Sequence, residues 1–249
     1  MIRSVSSQKP IVSCIFFTPP VLCIQTGSEY TKGGFIMKRH HSFYAAVSLL
    51  AAFVLWTAAV GYVDVQSIGP LGSSVGFASL NRFFHDLTGI HMTLYTITDW
   101  LSLVPIGFAV GFAGLGLIQW IRRKRLHNVD RSLLKLGCFY LVVMTVYLLF
   151  EQLAVNYRPV LINGALEVSY PSSTTLLVLC LMPTAFQQLR ARIRNSLCRQ
   201  VLAVVVAAFT GFMVLGRLLS GVHWLSDIIG SIFLSAGLVL LYDAACRLK

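Results

Sequence analysis

The sequence predicts an all-α, polytopic membrane protein: six transmembrane helices, both termini cytoplasmic, and an external interfacial helix between spans one and two. Three observations predict it. Of the 249 residues, 56% are hydrophobic and only 12% charged, about half the charge of a typical soluble domain. The mean hydropathy is +0.75. The apolar residues also gather into runs near the ~20 residues that cross a bilayer, with basic residues collected between them. The net charge of +11 therefore reads as cytoplasmic loop charge, and nucleic acid is excluded as a partner in favour of the bilayer.

Residues 1–36 differ from the rest. Ile11–Ile24 is apolar but broken by Pro19-Pro20, and it lacks the organisation of a signal peptide. Met37 opens a basic flank, Lys38-Arg39, directly before an apolar run. Lys32-Gly33-Gly34 can be encoded by a purine-rich string resembling a bacterial ribosome-binding site just upstream of the Met37 codon. The expectation is that 1–36 is a non-structural leader, that Met37 is the true start, and that 37–249 form one six-span membrane domain.

The spans follow in order: Phe43–Val63, Leu101–Ile121, Leu133–Val155, Ser172–Leu189, Val201–Leu219 and Ile228–Ala245. Lys38 and Arg39 precede the first. Arg122, Arg123, Lys124, Arg125, Arg131 and Lys135 lie around the second connection, Arg190, Arg192, Arg194 and Arg199 around the fourth, and Arg247 and Lys249 end the chain. The opposite side holds Arg82, Arg158 and Arg217. The positive-inside rule makes the side with both termini cytoplasmic, in the plasma membrane of a bacterial cell. Between spans one and two, Asp64–Trp100 is the long external connection. Within it Val75–Ile90 spaces Leu80, Phe83, Phe84, Leu87 and Ile90 mostly at intervals of three and four, which suits a helix in the membrane interface or one packed over the bundle mouth.

The six cysteines form no disulfide framework, and no Cys/His pair has metal-ligand spacing, so neither a metal nor another cofactor is implied. The informative residues are polar ones at the outer ends of spans three to six, where burial is costly. Span three ends in Glu151 and Asn156-Tyr157-Arg158-Pro159. Span four begins Tyr170-Pro171-Ser172-Ser173-Thr174-Thr175. Span five ends in Gly216-Arg217, and the turn into span six reads Ser220-Gly221-Val222-His223-Trp224-Leu225-Ser226-Asp227.

Taken singly, each has a plain structural role: arginines reaching to headgroups, a helix start at Pro171-Ser172, a cap at Asp227. Together on one face they suit phosphoryl transfer. Guanidinium groups match phosphate oxygens, and a helix N-terminus with Ser172 offers further donors. His223 is a candidate nucleophile. Asp227, four residues on, shares its helix face and is placed to hold the imidazole.

These segments resemble the type 2 phosphatidic acid phosphatase family of membrane lipid phosphatases, which is related to vanadium haloperoxidases. The family signature is K-x6-R-P, then P-S-G-H, then S-R-x5-H-x3-D. This chain has E-Q-L-A-V-N-Y-R-P at 151–159, P-S-S-T at 171–174 and G-R-L-L-S-G-V-H-W-L-S-D at 216–227. The resemblance runs from Leu133 to the C-terminus and implies a metal-independent hydrolase. In it His223 forms a phosphohistidine, Asp227 orients it, and Arg158, Ser172 and Arg217 bind phosphate.

Four family positions differ. Glu151 stands where a lysine is expected, Ser173 for glycine, Thr174 for the histidine that protonates the leaving group, and Gly216 for serine. A positioned general acid is worth about 10²–10⁴-fold. An alkoxide, whose parent resembles water with pKa about 15.7, needs one. A phosphate leaving group, with second pKa about 6, does not. The surviving substrates are diphosphates, such as undecaprenyl diphosphate on the outer membrane face. His85, His91 or Tyr170 are alternative acids. Glu151 is expected either protonated or paired with Arg158 in the empty site. The competing reading is a catalytically silent relative that binds lipid phosphate or a membrane partner.

Overall fold

In the computed structural model, the backbone is described for residues 32–247 and side chains for 41–247. The expected leader, 1–36, lies outside the described residues up to position 31. The chain then enters α1 (Lys32–Tyr62), followed by α2 (Ala78–Thr88), α3 (Met92–Leu101), α4 (Leu103–Arg123), α5 (Arg131–Leu153), α6 (Ser173–Arg190), α7 (Ser196–Leu219) and α8 (Leu225–Cys246). No strand forms among the described residues beyond isolated bridges.

Five stretches are long and apolar enough to cross a membrane: His41–Tyr62, Met92–Arg123, Arg131–Leu153, Ser196–Leu219 and Leu225–Cys246. Helix α6 is not among them. It carries Pro183, Gln187 and Gln188 and several hydroxyls, yet it is enclosed by the other helices, with Leu176, Val178, Cys180, Leu181 and Met182 buried. A helix surrounded by protein has no need of the lipid-facing apolarity that the others show.

The second span begins earlier than the sequence suggested. The external connection expected over Asp64–Trp100 ends at His91, because α3 starts at Met92 and runs through Ser102, in helical conformation, into α4. Together they make a stretch of 32 residues, about 48 Å of helix against a hydrocarbon core of about 30 Å. The helix expected over Val75–Ile90 forms as the shorter α2, ended by Gly89 at φ 70°.

Helix α8 is the axis of the packing, lying along α1 and then α6. Small residues permit this: a Cβ on Gly237 would fall 2.8 Å from Leu50 of α1, and one on Gly230 would strike the Tyr170 ring at 2.7 Å. Phe53, Phe139, Phe150, Leu176, Leu234 and Tyr242 fill the core between α1, α5, α6 and α8. Val178, Met182, Phe186, Val206 and Met213 fill a second cluster between α6 and α7.

Two connections at one end of the bundle position the site. Helix α2 is pinned to the start of α8 by buried Asn81. Its amide donates to Ser226 Oγ (2.9 Å) and to the Gly76 carbonyl (2.8 Å), and its oxygen accepts from the Ser226 backbone (3.1 Å). Between α5 and α6 the chain doubles back as a short hairpin. Ile162 and Ala165 exchange backbone bonds around Asn163-Gly164, both at positive φ (51° and 80°), the pair that a tight two-residue turn favours. Tyr157 pairs with Val168 farther down, so Arg158 and Ser169 emerge together on opposite arms.

Candidate functional site

The hairpin, the start of α6, the end of α7 and the turn into α8 meet at one point. Gly221 permits the last of these. It sits at φ 69° with the Gly89 carbonyl 2.2 Å from where a Cβ would be, and Ser220 accepts from the His91 backbone at 3.0 Å. His223 follows, held in the interior at 3% exposure.

The imidazole is oriented by the hairpin. Its Nδ1 lies 3.2 Å from the Ser169 carbonyl, which can only accept. Nδ1 therefore carries the proton and Nε2 the lone pair. Arg217 Nη2 donates to that lone pair at 3.5 Å. Burial, and then the charges of Arg158 and Arg217, push the His223 pKa well below its ordinary value. The ring is neutral and its Nε2 lone pair faces the Arg217 guanidinium.

Asp227 differs from the expected imidazole clamp. Its Oδ2 is 3.7 Å from Nδ1, farther than the Ser169 carbonyl. The carboxylate instead caps α8, accepting from the Trp224 backbone at 3.0 Å and from the Asn156 amide at 3.3 Å. The i to i+4 relation does bring the two side chains together. The Trp224 N–H at the N-cap and the Asn156 amide compete for the same oxygens.

Both arginines are buried, Arg158 at 8% and Arg217 at 1% exposure. Arg217 lies 4.9 Å from the centroid of the Tyr95 ring and Arg158 5.9 Å from it. Arg217 Nη1 is 3.6 Å from Asp99, and Arg158 Nε is 3.1 Å from Glu167. Arg158 Nη1 and Arg217 Nε and Nη1 have no hydrogen-bond partner among the described residues. A buried charged donor left unpaired costs well over 1 kcal/mol, so the arrangement is suited to an anion that accepts several N–H bonds.

Ser172 is fully buried at the start of α6, and its hydroxyl donates to Thr175 at 3.0 Å. Thr174 is also buried, in the first turn of α6. Glu151 is not paired with Arg158, which Glu167 engages instead. It is exposed and lines a cleft with Tyr147, Ser169 and Ser173.

The alternative acids are occupied or displaced. The Tyr170 hydroxyl shares a 2.7 Å hydrogen bond with Thr57 of α1, and burial raises its pKa. His91 is exposed, its Nε2 2.9 Å from the Thr88 carbonyl. His85 packs its ring 5.5 Å from that of Trp224, and its buried Nε2 has no partner among the described residues. Trp224 in turn donates to the Tyr157 carbonyl at 2.8 Å.

A histidine whose Nε2 lone pair faces an arginine, two buried arginines and a helix start have thus been assembled from α5–α8. Residues 147–245 match the PAP2 superfamily. That stretch holds Arg158, Ser172, Arg217, His223 and Asp227. A solved structure described as the first transmembrane PAP2 type phosphatidylglycerolphosphate phosphatase from Bacillus subtilis is similar in fold. Its TM-score is 0.50 at 18% identity, over 83% of this chain and 98% of that one. Comparison with curated proteins gives no match.

Gly216 lies where α3 and α7 approach closely. A Cβ there would lie 2.7 Å from Thr98 Cγ2, so a larger residue would require Thr98 or α3 to shift. The same approach delivers Tyr95 and Asp99 to the arginines. Neither was singled out in the sequence. Asp99, a lone acid beside an apolar run, was the available signal.

Proposed function

We propose that the protein is a membrane lipid phosphate phosphatase that works through a phosphohistidine and favours a polyprenyl diphosphate such as undecaprenyl diphosphate. The observation that carries this reading is the convergence on Nε2 of neutral His223 of two buried arginines, with Arg217 Nη2 at 3.5 Å and further guanidinium N–H groups that make no hydrogen bond among the described residues. In the bilayer we count α6 as a sixth span, place both termini in the cytoplasm, and put the site at the extracytoplasmic face of the plasma membrane. The basic residues at the opposite ends of the helices support that orientation.

In this scheme the terminal phosphoryl oxygens take the N–H groups of Arg217 and Arg158 and the first N–H groups of α6. Arg217 then leaves the imidazole lone pair, and Nε2 attacks phosphorus in line with the leaving group. The Ser169 carbonyl stabilises the imidazolium through Nδ1–H, with the Asp227 carboxylate close behind. The guanidinium groups hold the charge on the equatorial oxygens through the transition state. Water completes the cycle by hydrolysing the phosphohistidine. No step runs through a metal. A diphosphate gives up a phosphate monoester that needs no proton, which accommodates Thr174.

A second reading rests on the same cradle: a silent member that binds lipid phosphate without turnover. Its support is the 3.7 Å separation of His223 from Asp227 and the aliphatic hydroxyl at Thr174. Phosphate release by the purified protein from undecaprenyl diphosphate, with His223→Ala as control, decides between them. Release that the substitution abolishes is expected. Lipid phosphate binding without release establishes the silent binder.

A further inference from the structure

We propose that Tyr95 donates the proton to the leaving oxygen when the substrate is a lipid phosphomonoester, whose leaving group is an alcohol. This rests on the phosphatase reading above. An alkoxide is too basic to leave unprotonated, and the other hydroxyls near the arginines do not answer the need. Thr174 and Ser172 are aliphatic alcohols, no more acidic than the group they would protonate. Tyr170, the other phenol considered, is bonded to Thr57.

Tyr95 differs in three ways. Its ring lies against both guanidinium groups, at 4.9 Å and 5.9 Å. Its hydroxyl makes no hydrogen bond with the described residues. A phenol is also a stronger acid than the aliphatic alcohols of serine and threonine. Helix α3 fixes the position: Thr98 packs on Gly216 of α7, and Asp99, one turn beyond Tyr95, meets Arg217.

The step balances. His223 Nε2 forms the N–P bond as the P–O bond to the alcohol breaks, and the Tyr95 proton passes to the departing oxygen. The product is the lipid alcohol, with Tyr95 left as the phenolate. In the second half the phenolate takes a proton from the water that attacks phosphorus. The N–P bond breaks, inorganic phosphate leaves, and tyrosine and neutral histidine are restored.

Tyr95→Phe tests this, because phenylalanine keeps the ring against the arginines and removes only the hydroxyl. Phosphate release from phosphatidic acid and from undecaprenyl diphosphate is measured in the same mixed micelles for wild type and variant. The wild type is expected to hydrolyse phosphatidic acid, more slowly than the diphosphate. In Tyr95→Phe the ratio of phosphatidic acid to diphosphate hydrolysis falls about 10²-fold, the ordinary worth of a general acid. An unchanged ratio, through equal loss on both substrates or none on either, overturns the assignment by making Tyr95 a packing partner. Absence of phosphatidic acid hydrolysis by the wild type overturns it as well. The His223→Ala control on the diphosphate is independent of Tyr95 and reports failure of the phosphatase reading separately.

Discussion

Arg217 Nη2 stands 3.5 Å from Nε2 of His223, so the guanidinium covers the lone pair that attacks phosphorus in the proposed scheme. A planar guanidinium can turn from the ring to a phosphate while a second N–H stays engaged, and a lysine ammonium cannot reproduce that fork. Arg217→Lys is expected to lower the turnover number for phosphate release by about 10²–10³-fold, in the range of losing one preorganised transition-state donor. Steady-state kinetics on the diphosphate checks this.

The lowered pKa of His223 has a signed consequence for stability. Unfolded, the imidazole takes up a proton below about 6.5, whereas folded it stays neutral to lower pH. Below that value the unfolded state binds the extra proton, so folded stability from this group is fully present above about pH 6.5 and declines as pH falls. Thermal unfolding in detergent between pH 7.5 and 5.5 is expected to show a steeper loss for wild type than for His223→Gln.

Asp99 holds Arg217 at 3.6 Å with its own side chain 56% exposed. An exposed partner of this kind contributes about 0.2–1 kcal/mol. Asp99→Asn therefore frees the guanidinium for anions and tightens inhibition by orthovanadate, a phosphate mimic, by no more than about fivefold. Weaker inhibition in the variant would show that Asp99 organises Arg217 rather than competing for it.

Gly221 combines positive φ with a carbonyl at 2.2 Å from any added Cβ, while Gly137 has nothing within 4 Å. Gly221→Ala is expected to destabilise the fold by about 1–3 kcal/mol or more and to displace His223. Gly137→Ala, in the interior of α5, is expected to be stabilising by about 0.5–1 kcal/mol. Melting temperatures of the two variants in one detergent make the comparison.

Much of the candidate site was legible because its residues sit in short contiguous strings. Arg217, His223 and Asp227 fall within twelve positions, and an alternation of apolar runs and basic clusters indicated which end they share. What escaped has physical causes. Tyr95 and Asp99 lie in a stretch diluted by Thr93, Thr96 and Thr98, so the second span seemed to start at Leu101 and its polar first turns read as loop. Ser169 acts through its carbonyl, which no side-chain pattern reveals. Asp227 does stand 3.7 Å from the imidazole, as i to i+4 suggests, but the Trp224 N–H and the Asn156 amide draw on the same oxygens, which side-chain spacing alone does not reveal. The pairing of Arg158 with Glu167 rather than Glu151 depends on a hairpin that folds the two together across eight intervening residues.

That hairpin couples two functions to a count of residues. The first arm carries buried Arg158 and the second the Ser169 carbonyl that accepts from Nδ1 of His223, and the two arms turn back at Asn163-Gly164. Between the hairpin's two bridges the first arm carries four residues, 158–161, against two, 166–167, on the second, so no regular ladder sets the register. The backbone bonds from Arg158 to Glu167 and from Ser169 to Asn156 hold it instead. Deletions within 156–158 or 167–169 are therefore expected to pull the guanidinium and the carbonyl out of alignment, while the bend at 159–160 is expected to accept changes in length, a constraint on insertions and deletions that no single substitution would expose.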